Sequence, residues 1–269
     1  IVMMVAPNIS MRMGGEAVLP YHYMRELGGL GVEAFALTHA RVRDELQASP
    51  IWRDGAFHFV EDAWSEKMLD RAGGIGPGAL REIIFDSAIA ARLAPRALPL
   101  APSRGADLVH QPVPVSPSFP CFLTRLPAPL VIGPLNGGME FPPAMRGEFS
   151  HSADAAARAG RALAGAANRL ITGKRLADRI LIANERTRRA LPVGIGDERI
   201  EFLVDNGVDL DLWRKPNRRD DNPATFVFVG RLVRLKAVHL LIEAFDQIEG
   251  DARLVIIGDG PERARLQSI

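Results

Sequence analysis

Short, continuous apolar runs alternate with longer helical patterns along this chain, and that alternation restricts it to a parallel sheet covered on both faces. Ile1–Ala6, Val32–Thr38, Phe57–Val60, Asp107–His110, Leu130–Gly133, Arg179–Ala183 and Ile200–Val204 read as strands. Their apolar residues mostly run on continuously rather than at every second position, as in strands buried on both sides. Between them, Glu16–Leu27 (closed by Gly28-Gly29), Ala79–Leu98 and Ser152–Leu170 read as helices, while Gln111–Pro129 is too rich in proline for a regular element. Strand, helix and strand in succession is the pattern of a parallel βαβ sheet.

A second unit follows the polar, proline-bounded stretch Lys215–Pro223, which reads as a linker. Its elements are a strand at Thr225–Val229, a helix at Val238–Ile248 with Leu241, Ala244, Phe245 and Ile248 at helical spacing, and a strand at Arg253–Ile257. The expected division is 1–215 and 216–269. A domain core usually takes about 100–150 residues, so the second unit is expected to be incomplete, with Leu254–Ile257 thinly covered.

Composition removes several alternatives. The chain has 269 residues, is 47% hydrophobic and carries a net charge of +1. That balance argues against a nucleic-acid partner, and no apolar run approaches the roughly 18–20 residues that span a bilayer. Cys121 is the sole cysteine, so no intramolecular disulfide can form and a reducing, cytoplasmic setting fits. The histidines are scattered, and none pairs with cysteine or carboxylate at metal-ligand spacing. Residues 151–192 hold Arg158, Arg161, Arg169, Lys174, Arg175, Arg179, Arg186, Arg188 and Arg189 against Asp154, Asp178 and Glu185. This is either a solvated helix face or a peripheral contact with anionic lipid at the inner face of a membrane.

The chemistry concentrates in Phe228–Phe245. A strand ends in Gly230, where backbone can approach a ligand closely. Arg231 follows at once and Lys236 lies five residues on, near a helix start. Two cations at the carboxyl end of a parallel strand, beside helix N-terminal amides, can hold a pyrophosphate. The next strand ends at the same edge in Gly258-Asp259-Gly260-Pro261, with proline suited to a first helical turn.

This pattern resembles the group 1 glycosyltransferases, the retaining family 4 enzymes, in which a Gly-Arg-x4-Lys-Gly turn contacts the donor pyrophosphate and a Gly-Asp-Gly-Pro turn follows. Ala237 stands where the family usually has glycine. Leu203–Asp209 is similar to the family's Asn-Gly-Val-Asp signature, and Gly14-Gly15 to its first-loop glycine pair. His110-Gln111-Pro112 and Gly133–Gly138 fall where members carry cleft loops. The resemblance implies a GT-B fold, two Rossmann-like domains facing a cleft, the second incomplete here. It implies a retaining transfer of sugar from a nucleotide-diphosphate sugar to a sugar or lipid-linked acceptor, without metal or cofactor. Arg231, Lys236 and His110 are the candidate catalytic residues. Gly14, Gly15, Asn206, Gly230, Arg231, Lys236, Gly258, Asp259 and Gly260 are the candidate donor contacts. Family members carry a further E-x7-E pair beyond the Gly-Asp-Gly-Pro turn, and none follows Pro261 in this sequence. The alternative reading is therefore a non-catalytic truncated product that binds nucleotide weakly. An NAD-binding oxidoreductase fits poorly, because Asn8–Gly15 is not a GxGxxG turn.

Overall fold

The computed structural model describes residues 1–61, 78–139, 163–204, 207, 210 and 223–269, with side chains left out for 78–87. Contacts cluster into two compact units, Ile1–Gly207 and Val208–Ile269. The stretch that holds the expected division, 211–222, lies outside the described residues.

The strands of the first unit are β1 Val2–Val5, β2 Ala34–His39, β3 Phe57–Val60, β4 Leu108–Gln111, β5 Leu130–Leu135, β6 Arg179–Ile182 and β7 Ile200–Phe202. All pair in parallel, in the order β3-β2-β1-β4-β5-β6-β7. The helices are α1 Gly15–Gly29, α2 Arg43–Gln47, α3 Gly78–Ser103, α4 Gly173–Leu176 and α5 Glu185–Arg189, and residues 163–170 are also helical. Alternate strand residues point to opposite faces, and both faces are covered. Met3, Val5, Phe35, Val109, Ile132 and Ile180 pack with Ile89, Leu93 and Ala97 of α3 on one side. On the other, Met4, Ala36 and Phe57 pack with Leu19, Tyr21 and Met24 of α1 and Leu46 of α2. Burial of both strand faces is the physical reason that the runs read as continuously apolar.

Some boundaries differ from the sequence reading. Helix α3 continues to Ser103 through Pro95, Pro99 and Pro102. Those prolines lie on its exposed side, opposite the buried Leu93, Ala97 and Ala101. Water there can serve the carbonyls whose helical partners the rings remove. Strand β5 runs past Gly133 to Leu135, with a register irregularity between Ile132 and Leu135. Residues 40–47 fold as a 3-10 turn and α2, elements without a clear periodic signal.

The second unit has two strands among the described residues, β8 Ala224–Val229 and β9 Ala252–Ile257, paired in parallel over their full length. Between them lie a 3-10 turn, Arg234–Lys236, and α6 Val238–Phe245, which stops three residues before the expected Ile248; α7 Arg263–Leu266 follows β9. Leu232, Val238 and Leu266 form a small core with Phe228, Ile242 and Ile256 against it. Phe226, Val227, Val229 and Ile257 stay 47–71% exposed, consistent with the thin covering expected of a lone βαβ unit.

Candidate functional site

In the first unit the chain leaves β1 toward β2 on one side, while β4 lies against β1 on the other, with Met4 opposite His110. Loops that leave neighbouring strands in opposite directions open a crevice at the carboxyl edge of the sheet, the usual ligand position in such folds. The crevice is lined by Pro7, Asn8, Glu16, Ala17, Val113 and Pro114.

Side chains hold the loop after β1. Asn8 Oδ1 accepts from Arg41 Nε at 2.6 Å, and Ser10 N donates to Ala17 O at 2.9 Å. Buried Ser10 donates its hydroxyl proton to Glu45 at 2.6 Å, and Met11 N donates to the other Glu45 oxygen at 2.8 Å. Arg12 N and Met13 N both donate to Ser10 Oγ, at 3.0 and 3.1 Å. Gly14 ends the loop with φ 92° and ψ 177°, a region that is essentially glycine-only. Gly14 and Gly15 have no atom within 4 Å of where a Cβ would stand. The N-terminus of α1 has no side-chain cap and so offers helix-dipole positive charge at this edge.

His110 is the last residue but one of β4, the strand that neighbours β1. It is 6% exposed, with Nε2 2.7 Å from the carbonyl oxygen of Gly133 and Tyr23 edge-on at 4.8 Å. A carbonyl only accepts, so Nε2 carries the proton and Nδ1 is the acceptor. Burial lowers its pKa despite the bond to Gly133, which favours the neutral ring. Gly133 has φ 102°, and a Cβ there would stand 2.3 Å from Leu181 O, so glycine is required where β5 deviates. Beyond it the loops are tied together. Asn136 N donates to Val115 O at 2.7 Å, Gly137 N to Thr187 Oγ1 at 3.0 Å, and Arg186 Nε to Gly137 O at 3.1 Å. Asn184 caps α5 by accepting from Thr187 N.

One buried cation behind this edge went unrecognised in the sequence. Lys174 is 3% exposed, and its ammonium donates to the carbonyls of Ser116 and Pro117. Burial pushes its pKa down to about 7. Cys121 donates to Gln111 Oε1 at 3.0 Å, and burial raises its thiol to about 11. Gly173 permits this packing, since a Cβ would stand 2.2 Å from Cys121 O. Among many nearby cations, nothing in the sequence marks Lys174 as the buried one. Other cations of the basic segment are also engaged within the unit: Arg179 pairs with Glu201, Arg188 with Glu185 and Asp197, and Arg186 holds Gly137. Residues 151–162 of that segment, and Asn206, lie outside the described residues.

In the second unit the two predicted turns are brought together and joined backbone to backbone. Gly230 N donates to Ile257 O at 3.0 Å, Leu232 N to Asp259 O at 2.8 Å, and Glu262 N to Leu232 O at 3.0 Å. A Cβ on Gly258 would stand 1.9 Å from Gly230 O, and one on Gly260 2.4 Å from Leu232 O. These two glycines therefore set the spacing of the turns. Asp259 accepts from Gly260 N at 2.8 Å and pairs with Arg263 at 3.5 Å. Arg231 and Lys236 are exposed beside the turns. Lys236 closes the 3-10 turn that leads into α6, whose N-terminus has no side-chain cap. Ala237, at the junction, has φ 51° and ψ 35°, the left-handed conformation that glycine adopts without strain.

Residues 209–269 match the family described as Glycosyl transferases group 1. No curated protein sequence matches the chain. Its fold is similar to that of the lipopolysaccharide outer core galactosyltransferase WaaB in its apo form, with TM-score 0.55 and 15% identity over 100% of this chain and 64% of that one. It is similar also to a glycosyltransferase from Rickettsia africae ESF-5, with TM-score 0.55 and 13% identity over 99% of this chain and 62% of that one. The chain thus spans less than two thirds of the length of either. At these identities the likeness is one of fold, and it agrees with the α/β, GT-B-type architecture expected from the sequence. Among the described residues no helix is long and apolar enough to cross a membrane.

Proposed function

We propose that this chain takes part in retaining transfer of a sugar from a nucleotide-diphosphate sugar to a sugar or lipid-linked acceptor. The observation that carries the reading lies within the family match: Gly230–Leu232 and Gly258–Gly260 joined by backbone bonds at the carboxyl edge of β8 and β9. Beside them are the exposed cations Arg231 and Lys236.

Cleavage of the donor's sugar–phosphate bond builds negative charge on the departing pyrophosphate. Arg231 offers a planar fork of donors to two phosphate oxygens, and Lys236 a mobile point charge. The N-terminus of α6 adds the dipole's partial positive charge. Because the turn that carries Arg231 is joined to its neighbour before substrate arrives, its charge acts on the developing charge as preorganised electrostatics. In the first unit, Gly14 and Gly15 keep the switch-point loop low, and neutral His110, with Nδ1 as acceptor, can receive a hydrogen bond from a sugar hydroxyl. Gly230, Gly258, Gly260, Asp259 and Asn206 complete the proposed donor contacts, with Asp259 shaping its turn through Gly260 N. No step in this scheme uses a metal or cofactor.

The test is release of nucleoside diphosphate from a panel of UDP-, GDP- and ADP-sugars. A charged hydrogen bond contributes about 1.5–3 kcal/mol, so Arg231→Ala should slow release on the accepted donor about ten- to a hundred-fold. An unchanged rate would remove Arg231 from the reaction.

A further inference from the structure

The loop after β1 is restrained in a way the glycine pair alone would not produce. Met11, Arg12 and Met13 each donate a backbone N–H to one of two side chains, Glu45 or Ser10. Those side chains are bonded to each other at 2.6 Å across a separation of 35 residues. Ser10 is fully buried, so its hydroxyl uses its donor on Glu45 and its acceptor capacity on Arg12 and Met13. The carboxylate uses one oxygen for the hydroxyl and the other for Met11 N. Met11 and Met13 meanwhile remain 47% and 45% exposed. The loop thus has a fixed backbone and accessible side chains, and it leads directly into Gly14 and the uncapped start of α1.

We propose that Glu45, acting through Ser10, is a positioning residue that preforms the Met11–Gly14 loop for substrate. The inference rests on the transfer reaction proposed above. Glu45 need not touch the substrate. It removes the ordering that a free glycine-ended loop would otherwise undergo on binding, a cost that weakens affinity. Two bonds converge on one carboxylate from successive parts of the loop, so glutamine is an imperfect substitute: its carbonyl oxygen can accept, and its NH2 cannot.

The experiment compares the full chain with Glu45→Ala, Glu45→Gln and Ser10→Ala. Hydrogen exchange of the Met11–Met13 amides, thermal midpoint and steady-state constants are measured for each. Glu45→Ala and Ser10→Ala should speed exchange at these amides and raise KM about tenfold with a smaller change in kcat. Glu45→Gln should fall between them and wild type. Glu45→Ala combined with Ser10→Ala in one chain should be no worse than the worse single, because the clamp acts as one unit. Unchanged loop exchange in Glu45→Ala would overturn the clamp. Faster exchange with unchanged KM would overturn positioning while leaving the transfer reading intact. Absence of transfer by the wild-type chain would overturn both. If Glu45→Ala does not fold, the graded exchange and KM of Glu45→Gln decide the question by the same criteria.

Discussion

The two units both present glycine-rich turns at the carboxyl edge of a parallel sheet, but they hold those turns by different means. In the first, side chains hold the loop: Ser10, Glu45, Asn8 and Arg41 tie it down, and space is left where a Cβ on Gly14 or Gly15 would stand. In the second, the backbone holds itself. The turns after β8 and β9 share hydrogen bonds, and Gly258 and Gly260 are there because nothing larger fits. The same residue type therefore answers to dihedral angle alone at Gly14, and to close approach on top of a positive φ at Gly258. Motif glycines that look alike in the sequence should respond very differently to a methyl group.

The largest effect should come from Gly258→Ala or Gly260→Ala. Each places a methyl against a backbone oxygen that cannot give way, so the second unit should lose on the order of 3 kcal/mol. Faster exchange of the Leu232 and Glu262 amides would show it, and a near-neutral result would break the comparison. Gly14→Ala should cost about 1–3 kcal/mol through its dihedral angles alone. Gly15→Ala, into open space, should stay within about 0.5 kcal/mol. Denaturant midpoints of this pair isolate the angle, since neither methyl meets another atom.

Ala237 sharpens the contrast from the other direction. It is a non-glycine in a left-handed conformation at the phosphate-side turn, so Ala237→Gly should stabilise the second unit by about 1 kcal/mol. An unfolding midpoint that falls instead would place the departure from the family's glycine among adaptations of packing.

The first unit also predicts a pH dependence. Lys174 has a folded pKa of about 7 against an ordinary 10.5. Between those values the unfolded chain holds the proton more tightly, so this group's contribution makes stability rise with pH above about 7. Cys121 acts oppositely, with its thiol raised from 9.0 to about 11, so its contribution falls above about pH 9. The urea midpoint should therefore rise between pH 7 and 9 in wild type and rise less in Lys174→Met.

The architecture was legible because both sheet faces are buried, which leaves an apolar signal in successive residues of strands such as Val2–Val5 and Ala34–Leu37. The candidate residues at strand ends were legible for a related reason: glycine and cation punctuate the carboxyl edge. The course of α3 through three prolines was not, because their tolerance depends on which side of the helix meets water. Nor was the Ser10–Glu45 clamp, whose partners come from different elements and carry no local pattern. Lys174 was hidden because its burial follows from Gly173 packing against Cys121, a contact between distant parts of the chain. For Gly258 and Gly260 the sequence suggested approach to a ligand, and the structure adds a second demand from the neighbouring turn.

The most direct measurement of the central claim is calorimetric titration of UDP, GDP and ADP into the wild-type chain, Arg231→Ala and Lys236→Ala. The account predicts that at least one diphosphate binds the wild-type chain, that each substitution weakens it about tenfold or more, and that added salt weakens it further. Binding unchanged by both substitutions, or no binding of any diphosphate at low salt, would contradict it.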